Sequence, residues 1–241
     1  MSSEKLLGKE NWSATWVRHM EAYLAAPPRC GIWLRAKLRL GRKDRVLECA
    51  GGSCRDSRYL HYLGVSAIGS DFDEKTLQYL CARFPNDKFQ VVKEDAYSLS
   101  FEARSYDVVF HNGFWPYFSE NSEIQRLLVE QCRVAAKVAV AIVHNKSNKA
   151  LVKRFTELAK SDALYNLRFF DGEELLQIVK SSGVRYKRVS IERFGGPVDR
   201  IYALERKFVA LSPLVRWVVP RLYRFQPWSK VERVALVVEL P

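Results

Sequence analysis

Short apolar runs recur along the chain, with amphipathic stretches of helical length between them. Residues 46–49, 65–73, 89–92, 106–113, 138–143 and 186–193 each read as a short strand, and 231–240 as a last one. Uninterrupted apolar residues, as at Val108, Val109 and Phe110, suit strands covered on both faces. Tyr59, Leu60 and Leu63 recur at helical spacing up to a stop at Gly64. Residues 74–84, 123–133, 148–160 and 173–180 read as further helices, the last with Asp171 as its N-cap and Gly183 near its end. Pro85, Asn86 and Asp87 mark a turn. Upstream, residues 9–40 read as helical, with Trp12, Trp16, Met20, Tyr23 and Leu24 on one stripe; Pro27 and Pro28 break the stretch and 32–40 resumes it. Strands alternating with helices place the chain in the α/β class.

The first strand leads into the densest run of small residues. Glu48 closes it, and Ala50, Gly51, Gly52 and Ser53 follow before the next helix. Such residues let the backbone turn sharply and approach a ligand closely, and the helix start beyond them suits an anionic group. Asp71 ends the second run, 23 positions after Glu48. A carboxylate there can accept from both hydroxyls of a ribose; the alternative is a helix cap, a role that Asp73 suits better for 74–84. Glu94, Asp95 and Ala96 follow the third run, and His111, Asn112 and Gly113 close the fourth. In an open parallel sheet these strand ends share one edge, where ligands bind.

The run Val46-Leu47-Glu48-x-Ala50-x-Gly52-x-Cys54 resembles the first motif of class I S-adenosylmethionine-dependent methyltransferases, which commonly reads hydrophobic-Leu-Asp/Glu-x-Gly-x-Gly-x-Gly. Ala50 stands at the first glycine position and Cys54 at the third. The resemblance implies a seven-stranded, mostly parallel, doubly wound sheet whose antiparallel last strand lies between the fifth and sixth. It implies S-adenosylmethionine as cofactor, held by Glu48, Ala50, Gly51, Gly52 and Ser53, by Asp71 and Phe72, and by His111 and Asn112. Asp95 would accept from the adenine amino group, with the backbone of Ala96 against the ring. One methyltransferase domain, 1–241, is expected: an N-terminal helical lid (1–43), a cofactor-binding core (44–196), a helical insertion (197–229) and the last strand (230–241).

Methylating a hydroxyl calls for a group that takes its proton. His111 and His144 sit where the fourth and fifth strands open onto the site; His19 and His61 are worse placed, and Asp107 starts its strand at the opposite edge. The cluster Phe114, Trp115, Pro116, Tyr117 and Phe118 reads either as a substrate wall or as core. The base-amino methyltransferase signature (Asn/Asp-Pro-Pro-aromatic) is absent, since Asn112, Gly113, Phe114 and Trp115 stand there. No cysteine has the Pro-Cys context of the cytosine C5 enzymes, and no acid set suits a metal. The expectation is O-methylation of a small-molecule or glycan- or lipid-linked acceptor. Two alternatives stand beside it: an RNA methyltransferase, and a non-catalytic module that keeps the fold, for which Ala50 and Cys54 argue.

Composition changes this picture in one place. The 241 residues are 48% hydrophobic and 27% charged, as in a globular protein. Five scattered cysteines without metal spacing, and no apolar leader in the first ten residues, lead to the expectation of a cytoplasmic protein. The net charge of +12 is concentrated late: twelve Lys/Arg face four Asp/Glu between residues 185 and 233. Residues 197–229 are basic and apolar together, with Trp217, Phe208 and Phe225 among Arg206, Lys207, Arg216, Arg221 and Arg224. Pro213 and Pro220 are expected to break them into short helices. Such a stretch can lie on an anionic membrane surface, cap a pocket, or simply pack with its arginines in water. The sequence is silent on oligomeric state.

Overall fold

The structure, a computed structural model, describes residues 12–13 and 16–241. Its sheet is formed by β1 (Arg45–Glu48), β2 (Ser66–Asp71), β3 (Val91–Lys93), β4 (Tyr106–Asn112), β5 (Ala135–His144), β6 (Arg188–Phe194) and β7 (Arg233–Glu239). The order is β3-β2-β1-β4-β5-β7-β6, with β7 alone antiparallel to its neighbours. This is the expected α/β architecture, with the last strand between the fifth and sixth.

Strand alternation sorts the core into two layers. Leu47, Val109, Ala141 and Leu236 face one side, against Ile124, Leu127 and Leu128 of α5 (Asn121–Val134) and Leu175 and Ile178 of α7 (Gly172–Ser181). Val46, Val108, Phe110, Ile142 and Ala235 face the other. There they meet α2 (Arg29–Leu38), α3 (Arg55–Tyr62) and α9 (Ser212–Leu222). The period of two along each strand makes this separation automatic.

The remaining helices among the described residues are α1 (Met20–Ala25), α4 (Glu74–Arg83), α6 (Lys149–Ala159) and α8 (Ala203–Lys207). Asp73, Asn148 and Asp171 each cap a helix by accepting from a backbone N–H three residues on. Of the predicted N-terminal helix, residues 9–11 and 14–15 lie outside the described residues. Helix α2 starts directly after Pro28 rather than at residue 32, and the third strand runs two residues later than expected.

The insertion leaves β6 and returns to β7 at the site edge. Pro213 does not break it. It lies in the first turn of α9, where a missing N–H costs nothing, and Pro220 is carried in the last turn of the same helix. Arg29 of α2 bonds both Asp199 of the insertion and Glu232 next to β7, tying three parts of the chain together. No helix among the described residues is long and apolar enough to cross a membrane.

The turn from β1 into α3 is the tightest part of the fold. Ala50, Gly52 and Cys54 all have left-handed backbones, with φ of 48°, 54° and 47°. For the two residues with a Cβ this costs about 1 kcal/mol each. The Cys54 side chain is accommodated by two glycines. A Cβ on Gly69 would lie 2.5 Å from its Sγ, and one on Gly51 2.7 Å from it. Gly69→Ala is therefore expected to destabilise the chain by about 1–3 kcal/mol through overpacking. Adding Cys54→Gly should return most of that loss. Denaturant unfolding of both single variants and the double variant checks this, and additive effects would contradict the contact.

Candidate active site

The ends of β1, β2, β3 and β4 surround two adjoining hollows. They share Trp12, Ala50, Phe114 and Tyr117. The first is completed by Phe72, Glu94, Asp95, Ala96, Tyr97 and Phe118. The second contains Gly51, Gly52, Asn112, Gly113, His144 and Arg233, with aromatic walls from Trp16, Tyr23, Phe155 and Tyr165.

The residues predicted to hold the cofactor thus divide. Ala50, Gly51, Gly52 and Asn112 line the second hollow, and Ala50, Phe72, Asp95 and Ala96 the first. Asp71 lies beneath the turn and is 2% exposed. Its Oδ2 accepts from the Gly52 N–H at 2.8 Å and its Oδ1 from the Asp73 N–H at 3.0 Å. Glu48, Ser53 and His111 line neither hollow. The buried Glu48 carboxylate accepts from the backbone and hydroxyl of Ser57, at 2.9 and 2.5 Å, and so anchors the start of α3. Ser53 borders a separate cleft with Arg58 and Asp87.

The two histidines also part company. The His111 ring is fully buried against Trp115, and its Nδ1 accepts from the Phe114 N–H at 3.3 Å, which leaves its proton on Nε2. His144 lines the second hollow between Phe155 and Phe169, and its Nδ1 has no hydrogen-bond partner among the described residues. Burial, then the charge of Arg233, lowers both rings to about 3, so both are neutral imidazoles at physiological pH. The aromatic cluster serves both expected roles: Phe114, Tyr117 and Phe118 face the first hollow, while Trp115 is core.

Two features, Asp56 and Arg233, were beyond the sequence reading. Asp56, in the first turn of α3, accepts from the Gly31 N–H at 2.9 Å and the Asn112 side chain at 3.0 Å. Arg233, at the start of β7, donates to the Asn112 Oδ1 at 2.5 Å. Trp16 rests on the glycine turn so closely that a Cβ on Gly52 would lie 2.4 Å from its indole. Trp12 stacks on Trp16, with ring centroids 5.7 Å apart, and Ser13 donates to Asp73.

This donor set fits a nucleoside cofactor with a cationic tail. A left-handed Gly52 borders the second hollow, and an apolar slot beside Glu94, Asp95 and Ala96 forms the first, adjoining one. Burial pushes the Asp71 carboxyl up from its ordinary 3.8 to about 6. The folded chain then holds a proton that the unfolded chain releases, so Asp71 makes stability fall as pH rises from about 4 through about 6. Burial and the neighbouring Asp56 push Glu48 in the same direction. Asp71→Asn is expected to flatten the fall in melting temperature between about pH 4 and 6; an unchanged slope would contradict the burial of that charge.

Residues 47–143 match the family model of a methyltransferase domain. No curated protein sequence matches the chain. Among solved structures, a S-adenosylmethionine-dependent methyltransferase from Thermotoga maritima, described as a possible histamine N-methyltransferase, superposes with a TM-score of 0.62. It is 16% identical, over 96% of this chain and 99% of that one. A second, from Archaeoglobus fulgidus, gives 0.62 at 18% identity, over 92% and 99%. A Haemonchus contortus phosphoethanolamine N-methyltransferase, in complex with phosphomonomethylethanolamine and S-adenosylhomocysteine, gives 0.61 at 15% identity, over 97% of this chain and 59% of that one. Fold and matched domain agree: residues 47–143 match a methyltransferase domain, and the chain has the class I methyltransferase fold.

Proposed function

We propose that the chain methylates a hydroxyl group of an apolar acceptor, either a small molecule or one linked to a glycan or lipid. The observation that carries this reading is the second hollow. It borders the glycine turn, has mainly aromatic and aliphatic walls, and contains a neutral imidazole with an unpaired nitrogen.

When bound, S-adenosylmethionine supplies an electrophilic methyl group on a positively charged sulfur. In this reading Asp95, Ala96 and Phe72 hold the adenine, Ala50, Gly51 and Gly52 hold the tail by close backbone approach, and Asp71, expected from the sequence to take the ribose, instead holds that turn in place through the Gly52 N–H. Phe155, Tyr165 and Tyr117 cover the acceptor and exclude water. Alignment is the main contribution of the protein to such a displacement. His144 Nδ1 accepts a hydrogen bond from the acceptor hydroxyl and takes its proton. A weak base suffices, because that proton becomes strongly acidic as the oxygen forms its bond to carbon. His111 supports the Phe114 turn instead of touching the acceptor.

His144→Ala is expected to lower kcat by roughly 100-fold or more and to leave S-adenosylhomocysteine affinity unchanged. Asp71→Asn is expected to weaken that affinity by roughly 10–100-fold, the worth of a hydrogen bond to a charged group. Calorimetry and single-turnover kinetics separate the two. The acceptor class is tested by transfer of a labelled methyl group into fractionated host extract. Label in the soluble small-molecule or membrane fraction supports this reading. Label confined to RNA replaces it.

A further inference from the structure

The insertion exposes apolar side chains that the cavity does not use. Phe208, Val209, Leu214 and Trp217 are 56%, 78%, 57% and 57% exposed. Leu214, Trp217 and Arg221 fall at helical spacing on the outer face of α9, while Val215 and Val219 on its inner face are buried against the domain. An apolar crest of this kind marks an interaction surface. Beside it runs an open groove between α2 and α9, floored by Ile32 and Tyr59 and edged by Arg35, Arg39, Arg216 and Arg221.

The charge on this face has one sign. Between residues 197 and 229 there are six Lys/Arg and two Asp/Glu. Both acids are turned away: Asp199 is held by Arg29 and the Tyr223 hydroxyl, and Glu205 by Arg216. Arg35, Arg39 and Arg221 have no carboxylate partner among the described residues. The Arg221 guanidinium lies over the Trp217 ring, 4.2 Å from its centroid, which keeps the cation at the edge of the apolar crest. The side chain of Arg206 lies outside the described residues.

We propose that this face docks on an anionic phospholipid bilayer. Leu214, Trp217, Phe208 and Val209 enter the boundary between headgroups and acyl chains, and Arg35, Arg39 and Arg221 meet lipid phosphates along the groove. Apolar crest, aromatic rim and flanking cations are the features that hold an amphipathic helix in an interface. A nucleic acid would satisfy the arginines and leave Leu214 and Val209 in water, so the bilayer accounts for both halves of the surface. The face shares no residue with the two hollows, and the proposal stands apart from the choice of acceptor.

The test is flotation of the full chain with vesicles of phosphatidylcholine alone and of phosphatidylcholine with phosphatidylglycerol, at low and high salt. The wild type is expected to float with the anionic vesicles and to lose affinity as salt rises. Each of Arg35→Gln, Arg39→Gln and Arg221→Gln should cost roughly fivefold in vesicle affinity. The pair Leu214→Ser and Trp217→Ser should abolish flotation. All these positions lie outside the cavity, so S-adenosylhomocysteine affinity and melting temperature should stay at the wild-type level. No flotation with anionic vesicles overturns the proposal. So does flotation that the arginine and Leu214/Trp217 variants leave unchanged, or retention by RNA in its place.

Discussion

The structure depends on how the chain turns out of β1. Three residues in a row of five take a left-handed backbone, and two of them carry a side chain. That geometry survives because neighbouring strands leave room for it. Gly69 on β2 and Gly51 in the turn make space for Cys54, and the Asp71 carboxylate grips the Gly52 N–H from below. The turn then delivers α3 with its first residues facing the sheet edge, where Glu48 holds Ser57. Without this corner neither hollow would have a floor.

From the same corner a polar chain runs along the edge of the sheet. Asp56 joins α2 to Asn112 of β4, Asn112 receives Arg233 of β7, and Arg29 returns from Glu232 to α2. Each link joins elements far apart in sequence. Arg29 and Glu232 show what the burial is worth. Despite the desolvation of its carboxyl, Glu232 is pulled down to about 2, chiefly by Arg29 and then Arg233. The pair is half-buried, so breaking one partner leaves the other charge compensated only in part by water. The network therefore fixes the relative positions of the glycine turn, the second hollow and the insertion.

Much of this edge could be read in the sequence because strand ends announce themselves. Apolar runs that stop at Glu48, Asp71 and Asn112 place those residues at one edge of a parallel sheet, and small residues at Ala50–Gly52 mark the turn. Burial beneath the turn could not be read, and it moved Glu48 from ligand contact to support of α3. The difference between His111 and His144 depends on whether a ring points under Phe114 or into the cavity, which strand periodicity does not encode. Arg233 and Asp56 could not be singled out even with the strand order expected, because their meeting across Asn112 depends on strand register and side-chain direction rather than on the apolar pattern. Pro213 was misjudged because the same residue that stops a helix interior also starts a helix.

The Cys54 thiol gives the corner a further property. Burial holds it well above its usual ionisation range, wedged against two glycines and covered by the Trp16 cluster. Cys81, by contrast, is exposed on α4. A thiol reagent thus meets one cysteine at the surface and reaches the other only when the floor of the site opens. The rate at which Cys54 is alkylated is a clock for that opening, carried by the native chain without any added label.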